Sequence, residues 1–231
     1  MSRWDNWRST VVDMSDKEDQ RADAPRPAGR RTRKVQESRT AMADAAVDLV
    51  LDRGLDQVTV ETISERADVS RRTFSRYFSG KEDAVVDALR ADYARINTAL
   101  AARPAGENPL TAYHRALRRW LDDEPTAWHR LPRSRDLLRL LHAEPALLPA
   151  YLRVQDEAQN ESVAIVARRL GLDAERDLRP ALAVSLAVGA FGTAVRFWIA
   201  PGEPAPLPHL IDAAFSALAD EPAPSAPSTT E

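Results

Sequence analysis

From residue 34 to residue 219 the chain keeps one rhythm. Apolar residues return every three or four positions, and no stretch shows the clean period-two alternation of a half-buried strand. That rhythm points to an all-α fold. It is cut by Gly54, Pro104, Pro109, Pro132, Pro145, Gly171, Pro201, Pro204 and Pro206, residues that end helices or open them, with Pro125, Pro149 and Pro180 in or near first turns or loops. The cuts predict about nine helices, over 34–53, 59–67, 71–77, 79–102, 109–128, 131–143, 145–170, 178–200 and 207–219. Thr59 and Ser70 are the expected N-caps of the second and third helices, and Ser79 with Glu82 the capping box of the fourth.

The third helix carries Arg71, Arg72 and Arg76 among Phe74, Tyr77 and Phe78, a mixture that suits neither a solvated nor a buried helix. Phase resolves it. Phe78 follows Phe74 by one turn, while Arg72 and Arg76 lie roughly 160–200° away on the opposite side. The rings face a core to which the second helix brings Val60, Ile63 and Ala67, and the guanidinium groups project together. Two short helices, a three-residue turn and a basic outer face describe a helix-turn-helix. Arginine forks fit guanine edges in a major groove, and Ser or Thr hydroxyls fit bases or phosphates. The starts of both helices, at Thr59 and Ser70, and the ammonium of Lys81 suit phosphates.

The overall charge of −3 would oppose nucleic acid if it were spread evenly. Between residues 26 and 39, however, Arg26, Arg30, Arg31, Arg33, Lys34 and Arg39 stand against Glu37 alone. Local patches decide phosphate binding, although a charge run is also the ordinary mark of a solvated segment. The chain has no cysteine, so disulfides and thiolate metal sites are excluded. None of its four histidines is spaced for a metal, and no catalytic fingerprint or cofactor motif is present, so neither an enzyme nor a metal or cofactor is expected. The apolar run 180–195 falls short of the ~20 residues a membrane span needs. A cytoplasmic protein without membrane contact is expected.

Residues 59–89, "TVETISERADVSRRTFSRYFSGKEDAVVDAL", resemble the N-terminal domain of TetR/AcrR-family transcriptional regulators, a likeness extending over 36–90. The resemblance implies a homodimer on a pseudo-palindromic stretch of double-stranded DNA. It places DNA contacts at Thr59, Ser70, Arg71, Arg72, Thr73, Ser75, Arg76, Tyr77 and Lys81, and core positions at Phe74 and Phe78. Tyr77 has two readings, contact or packing. Many members carry tyrosine where this chain has Ser75, which shifts readout toward Arg72 and Arg76.

The expected organisation is a disordered basic arm (1–33), a helix-turn-helix DNA-binding domain (34–80), a ligand-binding and dimerisation domain (81–220) and a disordered tail (221–231). Met14 is a candidate start that would leave 1–13 outside the native protein. The body more weakly resembles the branch of the mycofactocin-system regulator MftR, which implies an acyl-CoA-like small-molecule effector as one option. A CoA pyrophosphate would call on Arg133, Arg135, Arg139 or Arg153, whose plainer reading is a solvated helix face. Trp120, Trp128, Leu137, Leu141, Phe191, Phe197 and Trp198 are candidate effector-pocket residues, or plain core. The helix over 178–200, apolar almost all round, is expected with the last helix at the dimer interface, or else as an internal core helix. The alternative function is a helical small-molecule or acyl-thioester binder without sequence-specific DNA binding.

Overall fold

A computed structural model of the chain describes residues 30–122, 128–202 and 204–219, with side chains from residue 34 and without that of Trp128. The arm before residue 30, including Trp4, Trp7 and Met14, the join at 123–127 and the tail from residue 220 lie outside the described residues. The chain divides into two compact units, one ending at Val35 and one beginning at Gln36. In the described residues helix begins at Arg30, earlier than the expected residue 34.

Among the described residues there is no strand. The α-helices are α1 (Arg30–Arg53), α2 (Val60–Arg66), α3 (Arg71–Tyr77), α4 (Lys81–Asp87), α5 (Arg90–Ala101), α6 (Pro109–Asp122), α7 (Pro132–Ala143), α8 (Leu148–Leu170), α9 (Arg179–Ile199) and α10 (Leu207–Ala219). Short 3-10 turns occupy Leu55–Gln57, Trp128–Arg130 and Pro145–Leu147. The expected fifth helix is described as far as Asp122, and α8 begins only after the turn at Pro145, later than expected.

The expected single helix over 79–102 is present in two segments, α4 and α5, interrupted at Ala88 and Leu89. Its expected cap is corrected as well. Gly80 is the N-cap, so the third helical position falls on Asp83 rather than Glu82. Ser79 accordingly donates its N–H and hydroxyl to Asp83 Oδ2, at 3.1 and 3.2 Å. The cap of α2 is reciprocal: Thr59 Oγ1 accepts from Thr62 N–H at 3.2 Å, and Thr59 N–H donates to Thr62 Oγ1 at 3.1 Å. Thr59→Ala should destabilise the chain by about 0.5–2 kcal/mol in urea unfolding.

Gly171 ends α8 in the left-handed region (φ 65°), where its N–H bonds Arg168 O and the Leu172 N–H bonds Ala167 O. That pair satisfies carbonyls the helix leaves open, and glycine adopts the angle without a Cβ clash. Around this frame α5 packs on α6 and α8, while α9 packs on α6, α8 and α10. By length and composition α9, with 21 residues and an 18-residue stretch of mean hydropathy 1.7, could cross a membrane, beyond what the shorter run 180–195 suggested. Here it is a bundle helix with Val184, Ala187, Ala190 and Ala194 buried.

Candidate nucleic-acid interface and cavity

Phe74 and Phe78 are buried at 1% and 4% exposure, with ring centroids 5.3 Å apart. They share a core with Met42, Ala46 and Val50 of α1 and with Ile63 of α2. Arg71, Arg72, Ser75 and Arg76 are exposed, as the phase requires. The turn between α2 and α3 holds Asp68 at φ 52°, a left-handed angle that aspartate tolerates better than most residues. Ser70 Oγ accepts from Thr73 N–H at 3.1 Å and shares a bond with Thr73 Oγ1 at 2.9 Å, so the two hydroxyls mark one end of the exposed face.

The three arginines differ in freedom. Arg71 pairs with Glu61 at 2.6 Å. Arg76 lies over the Tyr77 ring at 4.8 Å and donates to its hydroxyl at 3.0 Å. The Tyr77 ring packs against the core, and its hydroxyl accepts from Arg76. Arg72 has no bonded partner among the described residues, which leaves its full fork for a ligand. Lys81 is placed otherwise than the sequence suggested: its ammonium donates to Leu55 O at 2.8 Å and Val58 O at 3.0 Å, so two of its three donors already close the turn before α2.

The break between α4 and α5 carries a chain of ion pairs. Arg39 of α1 forks Asp87 at 2.9 and 2.7 Å, Arg90 Nε lies 2.8 Å from the same carboxylate, and Arg90 also bonds Glu157 of α8. The Asp87 bond, opposed by burial, raises the Arg39 guanidinium above its ordinary pKa. Arg153 of α8 bonds Asp83 of α4 at 2.8 Å. Burial pushes the Asp83 carboxyl up, but the Ser79 and Arg153 bonds outweigh it and hold it below its usual value. A second tie joins Arg133 of α7 to Asp44 O at 3.0 Å and to Asp48 at 3.2 Å, both on α1.

Leu89, at the break, also lines a cavity of about 200 Å³ among α5, α6, α7, α8 and α9. Apolar walls come from Ile96, Leu117, Trp120, Leu138, Val188 and Phe191, with Trp120 edge-on to Phe191 at 6.1 Å. Polar groups interrupt them. Asp92 Oδ1 accepts from Trp120 Nε1 at 3.2 Å and from Arg95 at 3.0 Å, and burial holds its carboxyl above the ordinary range despite both bonds. Ser162 donates to Asn97 Oδ1 at 2.6 Å beside Tyr113, and Gln155 donates to the Tyr151 hydroxyl at 2.9 Å.

Of the candidate pocket residues, Trp120 and Phe191 meet in this cavity. Leu137 lines a separate groove between α1, α5 and α7, Leu141 is buried in the core, and Trp198 is buried beneath Arg135 at 6.0 Å. Phe197 faces outward, 65% exposed. The Trp128 side chain lies outside the described residues. None of the four arginines proposed for a pyrophosphate lines the cavity. Arg133 and Arg153 make the ties above, while Arg135 and Arg139 donate to Ala200 O and Ile199 O.

Sequence reasoning missed Asp92, Tyr93, Asn97, Tyr113, Tyr151, Gln155 and Gln159. The signal was available: Leu89, Asp92, Tyr93, Ile96, Asn97 and Leu100 keep the spacing of a buried helix face, so polar residues stand in core phase. Among the described residues, no group of three or more His, Asp or Glu is placed to hold a metal ion.

Residues 43–88 match the model of bacterial regulatory proteins of the tetR family, and residues 107–222 match that of the MftR C-terminal domain. The HTH-type transcriptional regulator TcmR of Streptomyces glaucescens is 35% identical over 170 residues, which cover 70% of this chain and 73% of TcmR. Two solved proteins share the fold. FadR of Thermus thermophilus, in complex with lauroyl-CoA, aligns with TM-score 0.53 and 21% identity over 84% of this chain and 100% of that one. FadR of Bacillus subtilis, in complex with stearoyl-CoA, aligns with TM-score 0.54 and 16% identity over 78% of this chain and 97% of that one.

Proposed function

This chain belongs to the TetR family of bacterial regulatory proteins, and on that footing we propose that it is a homodimeric, sequence-specific DNA-binding repressor released by a small molecule held in the α5–α9 cavity. The observation that carries the reading is the division of α3: both phenylalanines buried, and Arg72 exposed with its fork free. In this reading the head (34–80) reads DNA and the body (81–220) binds effector and partner. Thr59, Ser70, Arg71, Arg72, Thr73, Ser75, Arg76 and Tyr77 make the contacts. Lys81 joins them only through its remaining N–H or by releasing a carbonyl. The family match at 43–88 favours this over a ligand-binding protein without sequence-specific DNA binding.

Dimerisation rests on a stripe of α9. Leu178, Leu182, Leu186 and Phe197 are 72%, 52%, 40% and 65% exposed, and with Gly189 and Thr193 they fall within about 100° of one another around the helix. A large exposed apolar face marks an interaction surface, and a second copy of α9 and α10 covers it. Leu182→Glu should convert the dimer to monomer in light scattering, and a variant that stays dimeric would move the interface elsewhere.

Coupling runs through the break between α4 and α5. Leu89 touches the cavity while Asp87, two residues before it, holds Arg39 of α1. A ligand that displaces α5 therefore shifts the head and the spacing of the two α3 helices, a coupling between distinct sites. Arg39→Ala should leave DNA binding in place but blunt its release by effector, as measured by gel shift. Selection of bound duplexes from a random pool tests the function itself. The expected consensus is a pseudo-palindrome with half-sites one or more helical turns apart; a pool without consensus would overturn the reading.

A further inference from the structure

The cavity also constrains its occupant. Resting on the reading of this cavity as the effector site, we infer that it takes a compact, uncharged aromatic molecule bearing a phenolic hydroxyl, rather than a long acyl chain with a charged carrier. Size comes first. At about 200 Å³ the cavity lies below the roughly 300–1,000 Å³ of ordinary ligand pockets, which favours one or two rings over an extended chain.

Charge comes second. Among the described residues one guanidinium stands at the wall, that of Arg196, which bonds Thr193 at 2.8 Å; the wall also holds His142, whose Nδ1 lies 2.8 Å from Leu138 O, and the four arginines of the neighbouring helices are engaged elsewhere. A pyrophosphate would meet few free cations. A cationic ligand fares no better, because the buried carboxylate of Asp92 is already paired with Arg95.

Hydrogen bonding comes third. Asp92 and Gln159 both line the cavity; the Asp92 bonds to Trp120 and Arg95 both fall on Oδ1, and the Gln159 amide has no bonded partner among the described residues. A hydrocarbon chain would strip water from both and return nothing, whereas a hydroxyl donates to the carboxylate and accepts from the amide. The ring lies against the edge-on pair of Trp120 and Phe191, where offset or T-shaped contact adds to burial.

Isothermal titration calorimetry on the full chain, with 2-naphthol, naphthalene and lauroyl-CoA as probes, tests this. 2-Naphthol is expected to bind once per subunit and about tenfold more tightly than naphthalene, since a site built to bond a hydroxyl rejects the analogue without it. Asp92→Asn and Gln159→Leu should each erode that preference, and the second keeps the test alive if the first unfolds. Equal binding of 2-naphthol and naphthalene, tighter binding of lauroyl-CoA, or no binding of 2-naphthol overturns the inference. Binding of the selected DNA is measured separately: a chain that binds its site but prefers lauroyl-CoA remains a regulator with another effector, and one that binds no site fails on function.

Discussion

Phe74→Ala should lower the stability of the chain by about 3–5 kcal/mol and abolish DNA binding at 25 °C. The ring is 1% exposed, pairs with Phe78 and belongs to the buried core, so truncation leaves a cavity that two seven-residue helices cannot close by themselves. Helices this short owe their existence to packing, not to propensity. Removing the anchor of α3 therefore unties α2 as well, and the head is expected to melt before the bundle of α5 to α10. Urea unfolding followed by circular dichroism should show an earlier transition or a second one. Ser75→Ala, on the exposed side of the same helix, should stay within about 0.5 kcal/mol of the parent. Equal effects at the two positions would mean that α3 does not pack through its aromatic side.

Arg72→Ala should leave stability unchanged and weaken binding to the selected site by about 1–3 kcal/mol, roughly 5- to 150-fold. Arg72 is singled out by its surroundings. Arg71 must leave Glu61 and Arg76 must leave the Tyr77 ring before either can bond a base, whereas Arg72 gives up nothing but water. Truncating Arg71 or Arg76 should therefore cost less. Lysine at position 72 should not restore the loss, because a point charge cannot fork a guanine edge. The matching signature is relaxed specificity at one base pair, read from fluorescence anisotropy on single-substitution duplexes; uniform weakening across all of them would mark a phosphate contact instead.

The head was legible in the sequence because its helices are amphipathic: Phe74 and Phe78 against Arg72 and Arg76 leave one phase and one inward direction. The body was less so, and the reasons are physical. Helix α9 is apolar almost all round, so phase could not say that Phe191 turns to the cavity, Trp198 to the core and Phe197 outward. The interruption at Ala88 and Leu89 carries neither glycine nor proline, and the apolar phase of Val85 and Leu89 runs through it unbroken. Lys81 looked like a phosphate clamp because its partners, the carbonyls of residues 55 and 58, are backbone atoms that no side-chain pattern reveals. The cavity wall is marked in the sequence by Asp92 and Asn97, polar residues that occupy core phase on α5.

The central claim is that the outward side of α3 recognises sequence and not merely charge. Fluorescence anisotropy at physiological salt, comparing a duplex selected by the chain with the same bases scrambled, measures this directly. The expected ratio of dissociation constants is about 10³ or more in favour of the selected duplex. Equal affinity for the two, falling together as salt rises, would contradict it and reduce the exposed arginines to a general attraction for phosphate.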